Sequence, residues 1–120
     1  MEIGIEPFVS GAGYWDGEKR LPAGLGKKMA GKTFTLHYTS YPVYKHHRVL
    51  RLQKELSFGK KPSLPILVEE IFEAIGEVYD KYLPKDGTEG VELLHSFDEL
   101  WLEWIGVDTE ALTIQIAMGS

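Results

Sequence analysis

A chain of 120 residues with 43% hydrophobic side chains can bury a core of its own, and its aromatic and aliphatic content argues against disorder. The absence of cysteine excludes disulfides, thiol catalysis and cysteine-ligated zinc. No apolar run approaches the ~18 residues of a membrane span, and residues 1–4 lack a basic-then-apolar leader pattern, so one cytoplasmic globular domain of bacterial or phage type is expected.

The net charge of −5 hides an asymmetry. Residues 1–61 hold 11 Lys/Arg against 5 Asp/Glu (+6), whereas residues 62–120 hold 2 against 13 (−11). Such a split suggests a basic face for a phosphate-bearing partner, an acidic face for a basic one, or mutual neutralisation of the halves within one fold.

In chain order, Glu2 to Glu6 alternate apolar and polar and predict a short strand ended by Pro7. The Gly-rich run 10–17 predicts turns, including a tight one at Asp16-Gly17, and places Tyr14 and Trp15 either as a recognition surface or as a plug for the core. Residues 18–32, with three further glycines and Pro22, read as loop. Residues 33–40 put Phe34, Leu36 and Tyr38 on one face with Thr and His on the other, the pattern of a strand. Residues 47–57 are assigned as a second strand pairing antiparallel with it, although Lys54 interrupts the alternation of Leu50, Leu52 and Leu56.

Residues 63–83 carry the clearest pattern. Leu64, Leu67, Val68, Ile71, Phe72, Ile75, Val78, Tyr79 and Tyr82 recur at helical spacing, Ser63 is an N-cap, Pro65 fits the first turn and Pro84 forbids continuation. Residues 85–90 form a turn and 91–94 a short strand. Ser96 and Glu99 make a capping box for a second amphipathic helix over 96–105, with Phe97, Leu100, Trp101 and Trp104 on one arc and Gly106 as its stop. Leu112, Ile114, Ile116 and Met118 alternate with polar residues in a last, half-buried strand. The sum is an α+β fold: a mostly antiparallel sheet of four or five strands against two amphipathic helices.

Residues 26–33 satisfy the P-loop pattern G-x-x-x-x-G-K-[ST] to the letter. A working P-loop joins a buried strand to a helix, whereas Leu21 to Leu25 cannot form that strand and the residues after Thr33 have strand periodicity. Nucleotide hydrolysis is therefore not expected, and a basic loop gripping phosphate is kept only as a lesser alternative. The histidines His37, His46, His47 and His95 show no chelating spacing, so no metal is assigned. No activated Ser or Thr stands out, and the many carboxylates sit at solvent-facing positions, so no catalytic residue or cofactor is assigned.

Two binding surfaces compete. Glu69, Glu70, Glu73, Glu77 and Asp80, with Glu99 and Glu103, would form an acidic helical face for a basic protein partner, as expected of a small acidic inhibitor, immunity protein or regulatory subunit. The alternative is phosphate or nucleic-acid binding through Lys27, Lys28, Lys32, Arg48 and Arg51, with Tyr38, Tyr41, Tyr44 and Phe58 interleaved near the basic stretch 45–61. A third reading places His37 with His46 or His47 in the pocket of a small enzyme. A sheet edge and three tryptophans are compatible with a homodimer.

Overall fold

A computed structural model describes residues 1–39, 51–82 and 97–119. Its elements are β1 (Glu2–Ile5), β2 (Val9–Ser10), α1 (Leu25–Met29), β3 (Thr33–Thr39), β4 (Arg51–Ser57), α2 (Leu64–Tyr82), a 3-10 turn (Phe97–Glu99), β5 (Trp101–Asp108) and β6 (Thr113–Gly119). The strands form one sheet in the order β1-β5-β6-β3-β4. β2 pairs with the start of β5 and β1 with its end, so the two share one lane, interrupted at Pro7 and Phe8. The pairings are antiparallel except β3 with β6, which run parallel where Leu36 stands opposite Ile114. An α+β class with a mostly antiparallel sheet is thus present, with six strands rather than four or five.

Alternation decides which face is covered. Phe34, Leu36 and Tyr38 of β3, Leu56 of β4, Ile105 and Val107 of β5 and Ile114 of β6 are buried, and they join Leu64, Leu67, Val68, Ile71, Ala74 and Ile75 of α2 in a single cluster. The helix begins as the sequence predicts: Ser63 Oγ accepts a hydrogen bond from Ile66 N at 3.3 Å. Val78, Tyr79 and Tyr82 extend the stripe in sequence, but their side chains lie outside the described set. Lys54, the residue that breaks the β4 pattern, stands opposite Leu36 on the covered side, and its Nζ reaches Glu77 Oε1 of α2 at 2.6 Å. The interruption is an ion pair at the rim between sheet and helix. The antiparallel pairing of 33–40 with 47–57 is present from Arg51 onward, residues 47–50 lying outside the described range.

The expected helix over 96–105 is corrected. Only Phe97–Glu99 is helical, as a 3-10 turn, and Trp101–Asp108 is a strand hydrogen-bonded on both sides. The physical reason is an irregularity between Leu102 and Trp104, where the register against β6 slips by one residue. That bulge changes the phase of burial: Leu100 and Leu102 point inward before it, Ile105 and Val107 after it. The extra residue destroys the period of two and leaves spacings that imitate a helical arc. Gly106, expected as a helix stop, is a strand residue whose missing Cβ leaves room for the Trp104 ring.

Two smaller differences concern the N-terminal third. Residues 18–32 are not all loop, because Leu25 and Met29 are buried at i, i+4 and hold α1 against the core. The turn lies at Gly11 to Gly13 rather than at Asp16-Gly17, with Gly13 N donating to Ser10 O at 2.9 Å and Gly13 at φ +97°. Gly17 serves a close approach instead: a Cβ there would stand 2.6 Å from Pro7 O. The expected strand 91–94 lies outside the described residues. Among those described, no helix is long and apolar enough to cross a membrane.

A candidate anion-binding cleft

The two loops that cap one end of the sheet create a cleft. After β2 the chain turns back, and Trp15 makes an isolated bridge with Val9. Its indole Nε1 donates to Glu18 O at 2.6 Å, which fixes the half-buried ring beside the core. Glu18 N donates to Glu6 O at 2.9 Å, and the Glu18 carboxylate accepts from Glu6 N at 3.3 Å. That carboxylate is therefore engaged at the β1 corner, leaving the next residues, Lys19 and Arg20, without it.

Downstream, Leu25 N donates to Pro22 O at 3.1 Å, and Gly24 adopts φ +83°, starting α1. With Leu25 and Met29 inward, Lys27 and Lys28 are left on the exposed side. The result is a cleft of about 450 Å³. It is lined by Leu21, Pro22, Pro62, Leu64 and Pro65, together with Lys19, Arg20 and Lys27. Among the described residues none of these three cations makes an ion pair. The cleft adjoins a smaller notch of about 150 Å³ lined by Trp15, Lys19 and Pro65, so Lys19 and Pro65 border both depressions.

The N-terminal end of α2 borders the cleft but supplies few donors of its own. Pro65 has no N–H, and Ile66 N is taken by Ser63 Oγ. No acid lies in the first turn, so the positive end of the helix dipole is uncompensated there. An anion in the cleft would be held mainly by side-chain cations.

The P-loop pattern does not have P-loop geometry. Gly26 lies inside α1, Gly31 adopts φ +69° in the turn after it, and the chain then enters β3, giving helix-turn-strand instead of strand-turn-helix. Thr33 Oγ1 is committed to Ser57 Oγ at 2.8 Å across β3 and β4. Of the basic residues singled out by sequence, Lys27 lines the cleft, while Lys28 and Lys32 are exposed outside its lining. Arg51 begins β4 opposite Thr39, and Ser57, at the far end of that strand, faces Thr33. A strand length of roughly 20 Å therefore separates Arg51 from the Lys32 turn at backbone level. Arg48, Tyr41 and Tyr44 lie outside the described residues. Lys19 and Arg20, which sequence reasoning passed over, complete the cleft. Their signal was adjacency to Trp15 in a loop, a feature that acquires meaning only once α1 folds beside it.

The acidic set is partly assembled. Glu69 and Glu73 are exposed on α2, Glu70 is half-buried, and Glu77 is bound to Lys54. Asp80 follows on the same helix, its side chain outside the described set. Glu99 is exposed in the 3-10 turn. Glu103 belongs to the bulge of β5, and its carboxylate occupies the space beside Gly119 on the sheet face away from α2. Glu103 is therefore a strand residue, and its expected place on a second helix is corrected. His37 is exposed on β3, and His46, His47 and His95 lie outside the described residues. No protein-family model, no curated protein and no solved structure matches the chain.

Proposed function

We propose that this protein is a binding protein that holds a phosphate-bearing ligand in the cleft between residues 19–27 and 62–65. The observation that carries the reading is that Lys19, Arg20 and Lys27, without ion-pair partners among the described residues, line one open cleft together with Leu21, Pro22, Pro62, Leu64 and Pro65. Of the described basic residues named from sequence, Lys27 lines this cleft, and Lys28 and Lys32 do not. Solvent-exposed charge contacts contribute about 0.2–1 kcal/mol each. Three of them give at most about 3 kcal/mol, so inorganic phosphate held by charge alone binds no tighter than the millimolar range.

Calorimetric titration with inorganic pyrophosphate at low salt tests the reading. Binding should weaken as salt rises and disappear in the Lys19→Gln, Arg20→Gln, Lys27→Gln triple variant. Equal binding by the two proteins, or no binding to the native chain, rejects it.

A second reading is favoured by a separate observation. Glu69, Glu73 and Glu77 follow one another at i, i+4, and like charges at that spacing cost a helix about 0.2–0.5 kcal/mol per pair. Among the described residues Lys54 offsets that cost at Glu77, leaving Glu69 and Glu73 as a surface suited to a basic protein partner. Reversal of both charges (Glu69→Lys, Glu73→Lys) should abolish capture of that partner while leaving the thermal midpoint within a few degrees. Retained capture removes the acidic face from consideration.

A further inference from the structure

Resting on the cleft reading, we infer that the ligand is a nucleoside phosphate, with its base in the Trp15 notch and its phosphate among Lys19, Arg20 and Lys27. Charge alone leaves a bare phosphate weakly held, so a ligand that fits this protein must also use the apolar surfaces. Those surfaces are divided into two adjoining depressions of different character. The larger has about 450 Å³ and three cationic residues in its lining; the smaller has about 150 Å³ and is lined by Trp15, Pro65 and Lys19.

The larger depression alone lies within the range of small-ligand pockets, about 300–1,000 Å³. A flat aromatic group joined to an anionic one across a short spacer matches this division, and Lys19, bordering both parts, stands where the two meet. Stacking on aromatic side chains is tolerant of base identity because every base has a π-face. Trp15 is suited to that role by its immobility. Its Nε1–H is committed to Glu18 O at 2.6 Å and its ring packs on the core, so little ordering cost remains for a ligand to meet. Tyr14 is 73% exposed but does not line the notch, and it provides an internal control.

The experiment removes pieces of the ligand rather than of the protein, which avoids unfolding a half-buried tryptophan. Adenosine monophosphate, ribose 5-phosphate, adenosine and a ten-nucleotide single strand are titrated into the full chain by calorimetry at low salt. Adenosine monophosphate should bind about 5- to 150-fold tighter than ribose 5-phosphate, the value of one stacked base. Tyr14→Ala should leave that ratio unchanged and Trp15→Phe should reduce it. Equal binding of adenosine monophosphate and ribose 5-phosphate overturns the base site while leaving the phosphate reading in place. Adenosine binding as tightly as its monophosphate overturns the phosphate reading, and with it this inference. The oligonucleotide separates the sources: tighter binding per nucleotide than the mononucleotide identifies a single strand, and equal binding identifies a free nucleotide.

Discussion

Substitution of Gly106 by Ala tests how the Trp104 ring packs across β5 and β1. Gly106 faces Gly4 across the β1–β5 pair, and the Trp104 ring lies over both. A Cβ on residue 106 would collide with Trp104 Cη2 and stand 2.8 Å from Cζ2 and 2.6 Å from Glu2 Cδ. The Glu2 carboxylate ends a flexible, exposed side chain and can move. The indole has less freedom, because a Cβ at Gly4 would already be 2.8 Å from its Nε1, which means the ring rests close on both backbones. Overpacking of this kind costs about 1–3 kcal/mol. Against it stands the loss of unfolded-chain freedom when Gly becomes Ala, about 0.4–1 kcal/mol in favour of the variant. At the midpoints of these ranges the expected net loss is about 1.3 kcal/mol, several degrees in thermal midpoint for a chain of this size. Urea denaturation followed by far-ultraviolet circular dichroism reads it without relying on tryptophan emission. The decisive comparison repeats Gly106→Ala in a Trp104→Leu background, where the obstructing ring is gone and alanine should be neutral or stabilising. A cost that persists in that background refutes the assigned packing, as does the absence of any cost in the native one.

Two further outcomes follow from single contacts. The Lys54–Glu77 pair is 31% and 56% exposed at its two side chains, so a double-mutant cycle with Lys54→Met and Glu77→Gln should give a coupling of about 0.2–1 kcal/mol that shrinks in 1 M salt. Asp108 Oδ1 accepts from the backbone N–H of Ala111 and of Glu110, each at 2.9 Å, and these bonds, Ala111 first, hold its carboxyl below the usual carboxylate range. Because the folded value is the lower one, the stabilisation is present above the unfolded value and is lost as pH falls through the folded value. The stability difference between the native chain and Asp108→Asn should therefore narrow on acidification from neutral pH, and a difference independent of pH would refute that origin.

Which parts of the fold were legible depended on whether burial kept one period. Along α2 the apolar spacing runs unbroken from Leu64 to Ile75, and helix, cap and buried face agree with it. β3 likewise alternates without interruption, and its buried Phe34, Leu36 and Tyr38 agree with the pattern. Of the four residues expected inward on the last strand, Ile114 and Met118 are buried, Ile116 is partly buried, and Leu112, just before β6, is exposed. β5 could not be read this way, because one bulge residue shifts the phase midway and both Trp101 and Trp104 remain only half-buried. α1 was missed because five residues carry only one i, i+4 pair, too little signal among glycines and lysines. The cleft was invisible for a related reason. Residues 19–27 meet residues 62–65 only after β3 and β4 have brought distant parts of the chain together, and no spacing rule connects Lys19 to Pro65.

The charge asymmetry between the halves also takes a spatial form, and it supplies a last test. α2 begins beside the cationic cleft with no acid in its first turn, and its carboxylates start at Glu69. Glu69 is five residues beyond Leu64, an axial rise of about 7.5 Å, while Glu77 is about 20 Å along. In water a unit anion 7.5 Å from a carboxylate is repelled by about 0.5 kcal/mol, and at physiological ionic strength, with a screening length of about 8 Å, by roughly 0.2 kcal/mol. Repulsion from Glu77 is negligible under either condition. Glu69→Gln should therefore tighten pyrophosphate binding by about twofold for each ligand charge at low salt and by a much smaller factor at physiological salt, whereas Glu77→Gln should have a far smaller effect at both. The two substitutions remove the same formal charge from the same helix, but Glu77 is already paired with Lys54, so a difference between them reports that neutralisation together with distance to the bound anion. Equal effects would place the anion somewhere other than the end of α2 that borders Lys19, Arg20 and Lys27.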